Sequence, residues 1–326
     1  MSGISSENRK TLMLFSGRAF PELADEIGRE LGVAPTSRDA FEFANGEIFV
    51  RYRESVRGSD AFVIQAMAEP INKWLVESLI MVDALKRGSA KRITVVVPFY
   101  PYARQDKKHR GREPISARLV ADLYKTAGAT RLLTVDLHTA QIQGFFNGPV
   151  DHLFAMDVLA GYIEKRYRGR PITVVAPDSG RVRVAERWAD RLGGTPLAFI
   201  HKTRDVTKPN TVVANRVIGE VDGRVGLIVD DMIDTGGTIV KAADILFESG
   251  ASDVVVASTH AILSDPATER LKNSRISEIV VTNTLPLPPE KQLDKITVLT
   301  IAPLLARAIR EVFDDGSVTT LFGGFS

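Results

Sequence analysis

The chain contains no cysteine in its 326 residues. This absence excludes disulfide bonds, thiolate metal sites and cysteine nucleophiles, and it suits a reducing compartment. No apolar run approaches the roughly 20 residues that a membrane-spanning helix needs. The polar segment 1–10 also lacks the apolar stretch of a secretory signal. We therefore expect a cytoplasmic protein that does not contact a membrane and whose chemistry relies on oxygen and nitrogen groups.

An excess of charge of either sign is also missing, because 42 basic residues face 40 acidic ones and the formal net charge is +2. Such a balance provides no global attraction to nucleic acid. The one dense basic run, at 104–112, has no second basic stripe and no interleaved aromatic platform to continue it. Nucleic acid is therefore not an expected partner, and any function of the basic residues must be local.

The length and the pattern of the chain indicate two α/β domains. At about 150 residues per domain, a chain of this length holds about two. Short β-branched runs end in polar or glycine-rich loops, and stretches of helical period follow them, which is typical of parallel α/β organisation. In the middle of the chain, the signal for a helix or strand is weakest at 144–151, around Gly148 and Pro149. We therefore predict domains at 10–150 and 151–326.

The same patterns predict individual elements. The predicted strands are Leu12–Phe15, Ala61–Gln65, Ile93–Val97, Leu132–Val135, Ile172–Ala176, Leu197–Ile200, Val225–Val229, Val254–Ala257, Ile279–Thr282 and Val298–Ile301. The predicted helices are Pro21–Leu31, Asn72–Lys86, Ser116–Thr126, Arg181–Leu192, Thr238–Ser249 and Leu304–Phe313. Ligands of open α/β sheets bind at the carboxyl ends of strands, so the loops after these strands are the candidate sites.

The loop at 229–238 carries the strongest chemical signal. Asp230 and Asp231 follow an apolar strand, and a hydroxyl and glycine turn then leads into a helix. Converging backbone N–H groups and the helix N-terminus form a site for a terminal phosphate. The paired acids repel a polyphosphate but can bind vicinal hydroxyls, so the loop as a whole suits a ribose phosphate. The alternative is an acidic cap and a glycine turn without a ligand.

The basic run offers groups for a nucleotide. Arg104 can stack on a nucleotide or donate paired hydrogen bonds to it, and Gln105 presents both a donor and an acceptor to a base edge. A solvated charged loop is the alternative.

Two further loops carry a candidate metal site. His138 follows the predicted strand ending at Val135, and Asp178 follows the one ending at Ala176. One imidazole and one carboxylate can share a Mg²⁺ that keeps most of its waters. A structural hydrogen-bonding role for the histidine is the alternative.

Lys202 and Arg204 follow the predicted strand Leu197–Ile200. Two cations two residues apart on an extended segment point the same way. The polar segment beyond them, 206–211, has the composition of a lid. A surface charge pair is the alternative.

Several segments together resemble a known family. The stretch 230–238, DDMIDTGGT, resembles the segment with which phosphoribosyltransferases grip ribose 5-phosphate. From Leu12 to Phe322 the chain resembles class I ribose-phosphate pyrophosphokinase, and it looks nearest to actinobacterial members. The other matching segments are FANGE at 43–47, PFYPYARQDKK at 98–108, DLHT at 136–139 and PDSG at 177–180.

The resemblance implies a fold and a reaction. The expected fold is α/β, with two phosphoribosyltransferase-like domains that each hold a mainly parallel sheet flanked by helices. The domain at 10–150 would bind ATP and the domain at 151–326 ribose 5-phosphate. The expected enzyme transfers the β,γ-diphosphate of ATP to the 1-hydroxyl of ribose 5-phosphate. Its products, 5-phospho-α-D-ribose 1-diphosphate and AMP, would serve nucleotide, histidine and tryptophan biosynthesis.

The resemblance also assigns residues. The catalytic residues would be Lys202 and Arg204, and Mg²⁺ would bind His138 and Asp178. The ATP-binding residues would be Asn45, Gly46, Glu47, Arg104 and Gln105. The residues that bind ribose 5-phosphate would be Arg204, Asp230, Asp234, Thr235, Gly236, Gly237 and Thr238.

The family assigns segment 45–47 to the nucleotide site of a neighbouring subunit, which implies an oligomer, expected to be a homohexamer. It further implies phosphate and ADP as effectors, with Arg53 and Ser317–Thr319 as candidate regulatory residues. A phosphoribosyltransferase is one rival, but it leaves the Arg104-Gln105 segment unexplained. A non-catalytic regulatory paralogue is the other, but it should lack some of the expected site residues, and none is missing.

Two positions depart from the family pattern. Arg181 stands where a second glycine is common, and Thr203 stands where the family has a basic residue. The glycine allows close backbone approach to a ligand, whereas an arginine can itself bind phosphate.

Overall fold

The structure is a computed structural model that describes residues 10–204 and 212–322. The side chains of residues 202–204, 212–215 and 322 also lie outside the description. The strands are β1 Leu12–Ser16, β2 Arg38–Glu42, β3 Ile48–Tyr52, β4 Asp60–Ile64, β5 Arg92–Val96, β6 Arg131–Val135, β7 Val150–Leu153, β8 Ile172–Ala176, β9 Leu197–Arg204, β10 Val212–Ile218, β11 Val225–Ile233, β12 Asp253–Ala261, β13 Glu278–Thr282 and β14 Ile296–Leu299. The helices are α1 Pro21–Leu31, α2 Ile71–Arg87, α3 Ser116–Ala127, α4 Met156–Arg166, α5 Val182–Arg191, α6 Gly237–Glu248, α7 Ala267–Asn273 and α8 Ala302–Phe313.

The chain forms two compact units. The first comprises Met1–Leu153 and Ala302–Ser326. Its described strands form a five-stranded sheet in the order β1-β4-β5-β6-β7, with every pair parallel. All five residues of β4 are buried, as expected for an inner strand of a parallel sheet with covered faces. Strands β2 and β3 form a separate antiparallel hairpin.

The second unit comprises Phe154–Ile301 and contains a seven-stranded sheet among the described residues. The order is β10-β9-β8-β11-β12-β13-β14, and all pairs are parallel except the edge pair of β9 and β10. The core packs α6 and α7 against β11 and β12, with Ile228, Leu246, Val254 and Leu271 all buried. The strands β8 and β11 are neighbours, so their carboxyl ends meet at one edge of the sheet.

The expected α/β fold with parallel sheets flanked by helices is confirmed. Patterning missed β2, β3, β7, β10, α4 and α7. The seven residues of α7 are too few for a helical period to appear, and β7 has only four residues. The predicted strand Val298–Ile301 lies at Ile296–Leu299, because α8 already begins at Ala302.

The C-terminal helix packs within the first unit, whereas the sequence-based division assigned 151–326 to the second domain. An apolar stripe on α8 that includes Leu305, Ile309 and Val312 is buried. The Arg310 Nη2 donates a 3.1 Å hydrogen bond to the carbonyl of Leu31, at the end of α1. These contacts are non-local, so the order of elements along the chain does not indicate them. Within the described residues, no helix has the length and apolar character to cross a membrane.

Candidate functional site

The loop after β11 has the architecture of an anion site. The strand is buried up to Ile233, and α6 begins at Gly237. Gly236 has a φ of 71°, a left-handed conformation that glycine adopts without steric cost. Thr235 and Thr238 are exposed on either side of this turn. The first turn of a helix leaves backbone N–H groups without partners inside the helix, so the loop can offer them to a ligand.

An arginine that sequence reasoning missed supports this loop. The Arg270 Nη1 donates a 3.0 Å hydrogen bond to the carbonyl of Thr235. A Cβ placed on Gly237 would lie 3.4 Å from the same nitrogen, so the guanidinium lies close to the helix start. Arg270 belongs to α7, more than thirty residues downstream. Only the packing of α7 beside α6 brings this cation to the loop.

The two acids at the end of β11 are paired with Arg181. The Arg181 Nε lies 3.0 Å from Asp230 Oδ1, and its Nη2 lies 2.5 Å from Asp231 Oδ1. Burial raises the pKa of Asp230 well above its usual range, the neighbouring Asp231 raises it further, and Arg181 opposes both effects. Arg181, which departs from the family pattern, therefore contacts the acids of the candidate sugar loop.

Asp178 lies at the same edge of the second sheet, because β8 and β11 are adjacent and parallel. Its Oδ1 accepts a 2.9 Å hydrogen bond from the Gly180 N–H, and the carboxylate is half-buried. His138 is also half-buried, but it follows β6 in the first unit. Within the part of the chain that the structure describes, no group of three or more His, Asp or Glu side chains is arranged to hold a metal.

Lys202 and Arg204 lie in the last part of β9, which continues beyond its predicted end. Their backbones pair with β10, Lys202 opposite Asn215 and Arg204 opposite Val212. Their side chains, and the predicted lid at 206–211, lie outside the described residues. Because β9 is the parallel neighbour of β8, this segment continues from the carboxyl edge that also carries Asp178.

In the first unit, the predicted nucleotide residues lie in an exposed loop with a buried anchor. Arg104 and Gln105 are exposed, whereas Asp106 is only 5% exposed. The Asp106 Oδ2 accepts hydrogen bonds from Thr139 Oγ1 at 2.7 Å and from Gln141 Nε2 at 2.6 Å. The loop after β5 is thereby tied to the loop after β6, which carries His138. The pattern of the basic run does not indicate these contacts, because both partners lie more than thirty residues away along the chain.

The predicted residues Asn45, Gly46 and Glu47 form the exposed tip of the β2–β3 hairpin. Gly46 has a φ of 88°, and Asn45 Oδ1 accepts a 3.1 Å hydrogen bond from the Glu47 N–H. Phe41 and Phe43 beside this tip are 44% and 49% exposed, and their rings pack edge to face. The hairpin therefore presents a polar turn and an apolar patch to solvent.

The base of the hairpin is held by ion pairs that sequence reasoning also missed. Glu42 Oε1 lies 2.7 Å from Lys73 Nζ and 3.4 Å from Arg18 Nη1. The Arg18 Nε donates a 2.5 Å hydrogen bond to Oε2 of Glu77, which is fully buried. Two separate segments of the first unit, the loop after β1 and helix α2, thus fix the direction in which the hairpin leaves the domain.

Comparison with known proteins assigns the chain to a family. A model of the N-terminal domain of ribose phosphate pyrophosphokinase matches residues 12–128, and a model of the phosphoribosyl synthetase-associated domain matches residues 200–323. The chain is 65% identical to a ribose-phosphate pyrophosphokinase of Mycobacterium leprae over 319 residues, 98% of each chain. It is 64% identical to one of Streptomyces coelicolor over 322 residues, 99% of each.

A solved structure agrees with these relatives. The crystal structure of phosphoribosylpyrophosphate synthetase from Mycobacterium smegmatis matches with a TM-score of 0.90 and 63% identity, covering 94% of this chain and 100% of that one. The resemblance to actinobacterial members is therefore confirmed. With identity of this level over nearly the full length, the chain belongs to the ribose-phosphate pyrophosphokinase family.

Proposed function

We propose that the second unit binds ribose 5-phosphate at the loop after β11, while the first unit binds ATP through the loop after β5. As a ribose-phosphate pyrophosphokinase, the enzyme transfers the β,γ-diphosphate of ATP to the 1-hydroxyl of ribose 5-phosphate, giving 5-phospho-α-D-ribose 1-diphosphate and AMP. One observation carries the assignment of the sugar site. Paired carboxylates lie near the end of a buried strand, and a left-handed glycine turn after that strand leads directly into a helix.

The parts of this loop match the parts of the sugar phosphate. The turn formed by Asp234, Thr235, Gly236 and Gly237, with Thr238 in the first turn of α6, surrounds the 5-phosphate with hydroxyl and N–H donors. Asp230 at the strand end accepts hydrogen bonds from the ribose hydroxyls. Arg270, held against the Thr235 carbonyl, adds positive charge to the phosphate end.

The nucleotide site uses different chemistry. Arg104 stacks on or forks onto the nucleotide, and Gln105 hydrogen-bonds the base edge. The Ser116 hydroxyl donates a 2.6 Å hydrogen bond to Gln105 Oε1, which orients the amide. Asn45, Gly46 and Glu47 complete the nucleotide site of a neighbouring subunit.

In the reaction, the 1-hydroxyl oxygen of the sugar forms a bond to the β-phosphorus of ATP. The bond from that phosphorus to the oxygen bridging it to the α-phosphate breaks, AMP leaves, and the hydroxyl gives up its proton. Negative charge spreads over the transferred group in the transition state, so positioning and charge neutralisation matter more than covalent help. Lys202 and Arg204 provide this neutralisation, and Arg204 also touches the sugar phosphate.

Mg²⁺ fits the donors available near these loops. The Asp178 carboxylate is a hard oxygen donor at the edge of the sugar loop, and His138 offers one imidazole nitrogen. A Mg²⁺ held by few protein ligands keeps most of its positions for water and for phosphate oxygens. When bound, the ion neutralises charge on the diphosphate being transferred.

We further propose that the enzyme works in the cytoplasm as a homohexamer that phosphate and ADP regulate. The exposed Phe41 and Phe43 pack together beside the hairpin tip and support a subunit contact there, because a contiguous exposed apolar patch is typical of an interaction surface. Arg53 and Ser317–Thr319 are the candidate effector residues. Both are exposed or half-buried at the surface of the first unit.

The decisive experiment incubates the purified enzyme with ATP, ribose 5-phosphate and Mg²⁺ and follows the products by ³¹P nuclear magnetic resonance. We expect AMP and the sugar diphosphate in equal amounts, and no reaction with ribose that lacks the 5-phosphate. Formation of ADP would contradict diphosphate transfer. A reaction that needs the sugar diphosphate and a nucleobase would identify a phosphoribosyltransferase, and inactivity would identify a regulatory paralogue.

A further inference from the structure

We propose that Arg181 is a positioning residue of the sugar site, which holds the carboxylates of Asp230 and Asp231 in the arrangement that receives ribose 5-phosphate. The inference rests on the proposed sugar site. It concerns a position where the family commonly has glycine, so it assigns a role that the family signature does not contain.

The contacts of the guanidinium carry this inference. Its Nε is 3.0 Å from Asp230 Oδ1 and its Nη2 is 2.5 Å from Asp231 Oδ1, so one planar group spans two consecutive carboxylates. The Asp231 N–H donates a further 2.9 Å hydrogen bond to the same Asp230 Oδ1. A bridge of this kind fixes the rotation of both carboxylates, because the guanidinium donors have a rigid geometry.

The position of Arg181 along the chain makes the bridge a link between two functional loops. Arg181 closes the short turn after β8 that begins with Asp178, and its N–H donates a 3.2 Å hydrogen bond to the Asp178 carbonyl. The two acids lie in the last part of β11, the parallel neighbour of β8. The candidate metal loop and the candidate sugar loop are thus joined through one side chain.

The electrostatics explain why the acids need such a partner. The side chain of Asp231 is 8% exposed, and those of Asp230 and Arg181 are each 15% exposed. Two adjacent carboxylates repel each other strongly when water is largely excluded, and burial alone already favours protonation of Asp230. The nearby Arg181 guanidinium opposes this rise in the pKa of Asp230, so it favours the ionised carboxylate that accepts hydrogen bonds from sugar hydroxyls.

The same geometry separates this role from a direct role in binding substrate phosphate. An arginine that binds phosphate would act independently of the two acids. An arginine that positions the acids should matter only while they are present. The two roles therefore differ in how the effect of removing Arg181 depends on Asp230.

The experiment measures steady-state kinetics of Arg181→Ala, Arg181→Lys and Arg187→Ala, the last being an exposed arginine on helix α5, which begins directly after Arg181. We expect Arg181→Ala to raise KM for ribose 5-phosphate by about tenfold or more, because it removes the cation that opposes the repulsion between two largely buried carboxylates. KM for ATP should stay within about threefold, since the acids do not touch the nucleotide. Arg181→Lys should raise KM for ribose 5-phosphate less than Arg181→Ala does, because lysine keeps the positive charge. Arg187→Ala should match the wild type.

The second arm repeats Arg181→Ala in the Asp230→Asn background. We expect its effect on KM for ribose 5-phosphate to shrink to less than about threefold there, because one of the repelling charges is gone. An undiminished effect, or an equal rise of KM for ATP, would overturn the positioning role. If Arg181→Ala is poorly folded by circular dichroism, Arg181→Lys carries both arms.

An Asp234→Asn variant distinguishes a failure of the proposed role of Arg181 from a failure of the proposed sugar site. If Asp234→Asn weakens ribose 5-phosphate binding while Arg181→Ala does not, the role of Arg181 is wrong and the sugar site stands. If neither variant affects ribose 5-phosphate, the proposed sugar site itself fails, and the positioning role fails with it.

Discussion

Asp106 accepts a 2.7 Å hydrogen bond from the hydroxyl of Thr139, and through it the loop after β5 is tied to the loop after β6. The aspartate is nearly buried and sits inside an otherwise basic run. The single acid of this run therefore anchors the neighbouring Arg104 and Gln105 to the part of the first unit that carries His138.

This anchor predicts the behaviour of Asp106→Ala. Its loss leaves the partners Thr139 and Gln141 without their acceptor and releases the nucleotide loop, so KM for ATP should rise by about tenfold or more. KM for ribose 5-phosphate should change little, and Asp106→Asn should be milder because it keeps one acceptor oxygen. The control is Asp122→Ala, which removes an exposed pair within α3. An unchanged KM for ATP would show that the anchor is dispensable.

The sugar loop predicts a difference between the two substrates. Asp234→Asn and Thr238→Ala should weaken ribose 5-phosphate binding more than ATP binding, because we propose that this turn binds the sugar phosphate. Isothermal titration of each ligand separately measures both effects. Equal losses for the two ligands would mean that the loop has only a structural role, or that the two substrate assignments are reversed.

The catalytic assignment predicts a kinetic signature for β9. Removing a donor that acts on transition-state charge costs about 10²–10³ in kcat. Lys202→Ala should show such a loss while KM for both substrates stays within a few-fold, and Arg204→Ala should also raise KM for ribose 5-phosphate. Thr203→Ala is the matched control, because successive side chains on a strand point to opposite faces. Near-normal turnover of Lys202→Ala would mean that Lys202 and Arg204 are only a surface charge pair.

The exposed hairpin predicts that activity depends on assembly. If Asn45 to Glu47 complete a neighbour's nucleotide site, specific activity should fall when the enzyme is diluted below the concentration at which subunits associate. In Phe43→Asp, this loss of specific activity should begin at a higher protein concentration than in the wild type, because a charged side chain disfavours burial in a subunit contact. Sedimentation velocity beside the activity assay provides the test. A fully active monomer would contradict the shared site.

The C-terminal segment predicts a pH dependence of stability. Hydrogen bonds from Lys10 and Arg92 lower the pKa of Asp315 to about 2. The unfolded value is about 3.9, so the ionised pair stabilises the fold above about pH 4, and this contribution is lost as the pH falls toward 2. Asp315→Asn should therefore lower Tm near neutral pH, and the difference from wild type should shrink below pH 4. A difference independent of pH would rule out the ion pairs as its cause.

Much of the candidate site was predictable because its signal is local. The acids, the glycine turn and the helix start of the sugar loop are consecutive, so the order of residue types alone indicates a phosphate and a diol. The alternation of apolar runs with helical periods likewise predicted most strands and helices. Short or weakly patterned elements, among them α7, were not predicted from the sequence. The contact of Arg270 with the candidate sugar loop was therefore not predicted either, because Arg270 belongs to α7.

The sequence by itself determined that the chain is α/β and which family it resembles, because both depend on patterns of neighbouring residues. It also predicted which loops carry chemistry. Only the tertiary structure decided that Arg181 pairs with Asp230 and Asp231, that Asp106 joins two loops, and that α8 packs with the first unit. These relationships join residues far apart in the chain. They depend on the order of strands in each sheet and on the burial that this order creates. Local sequence patterns indicate neither of these.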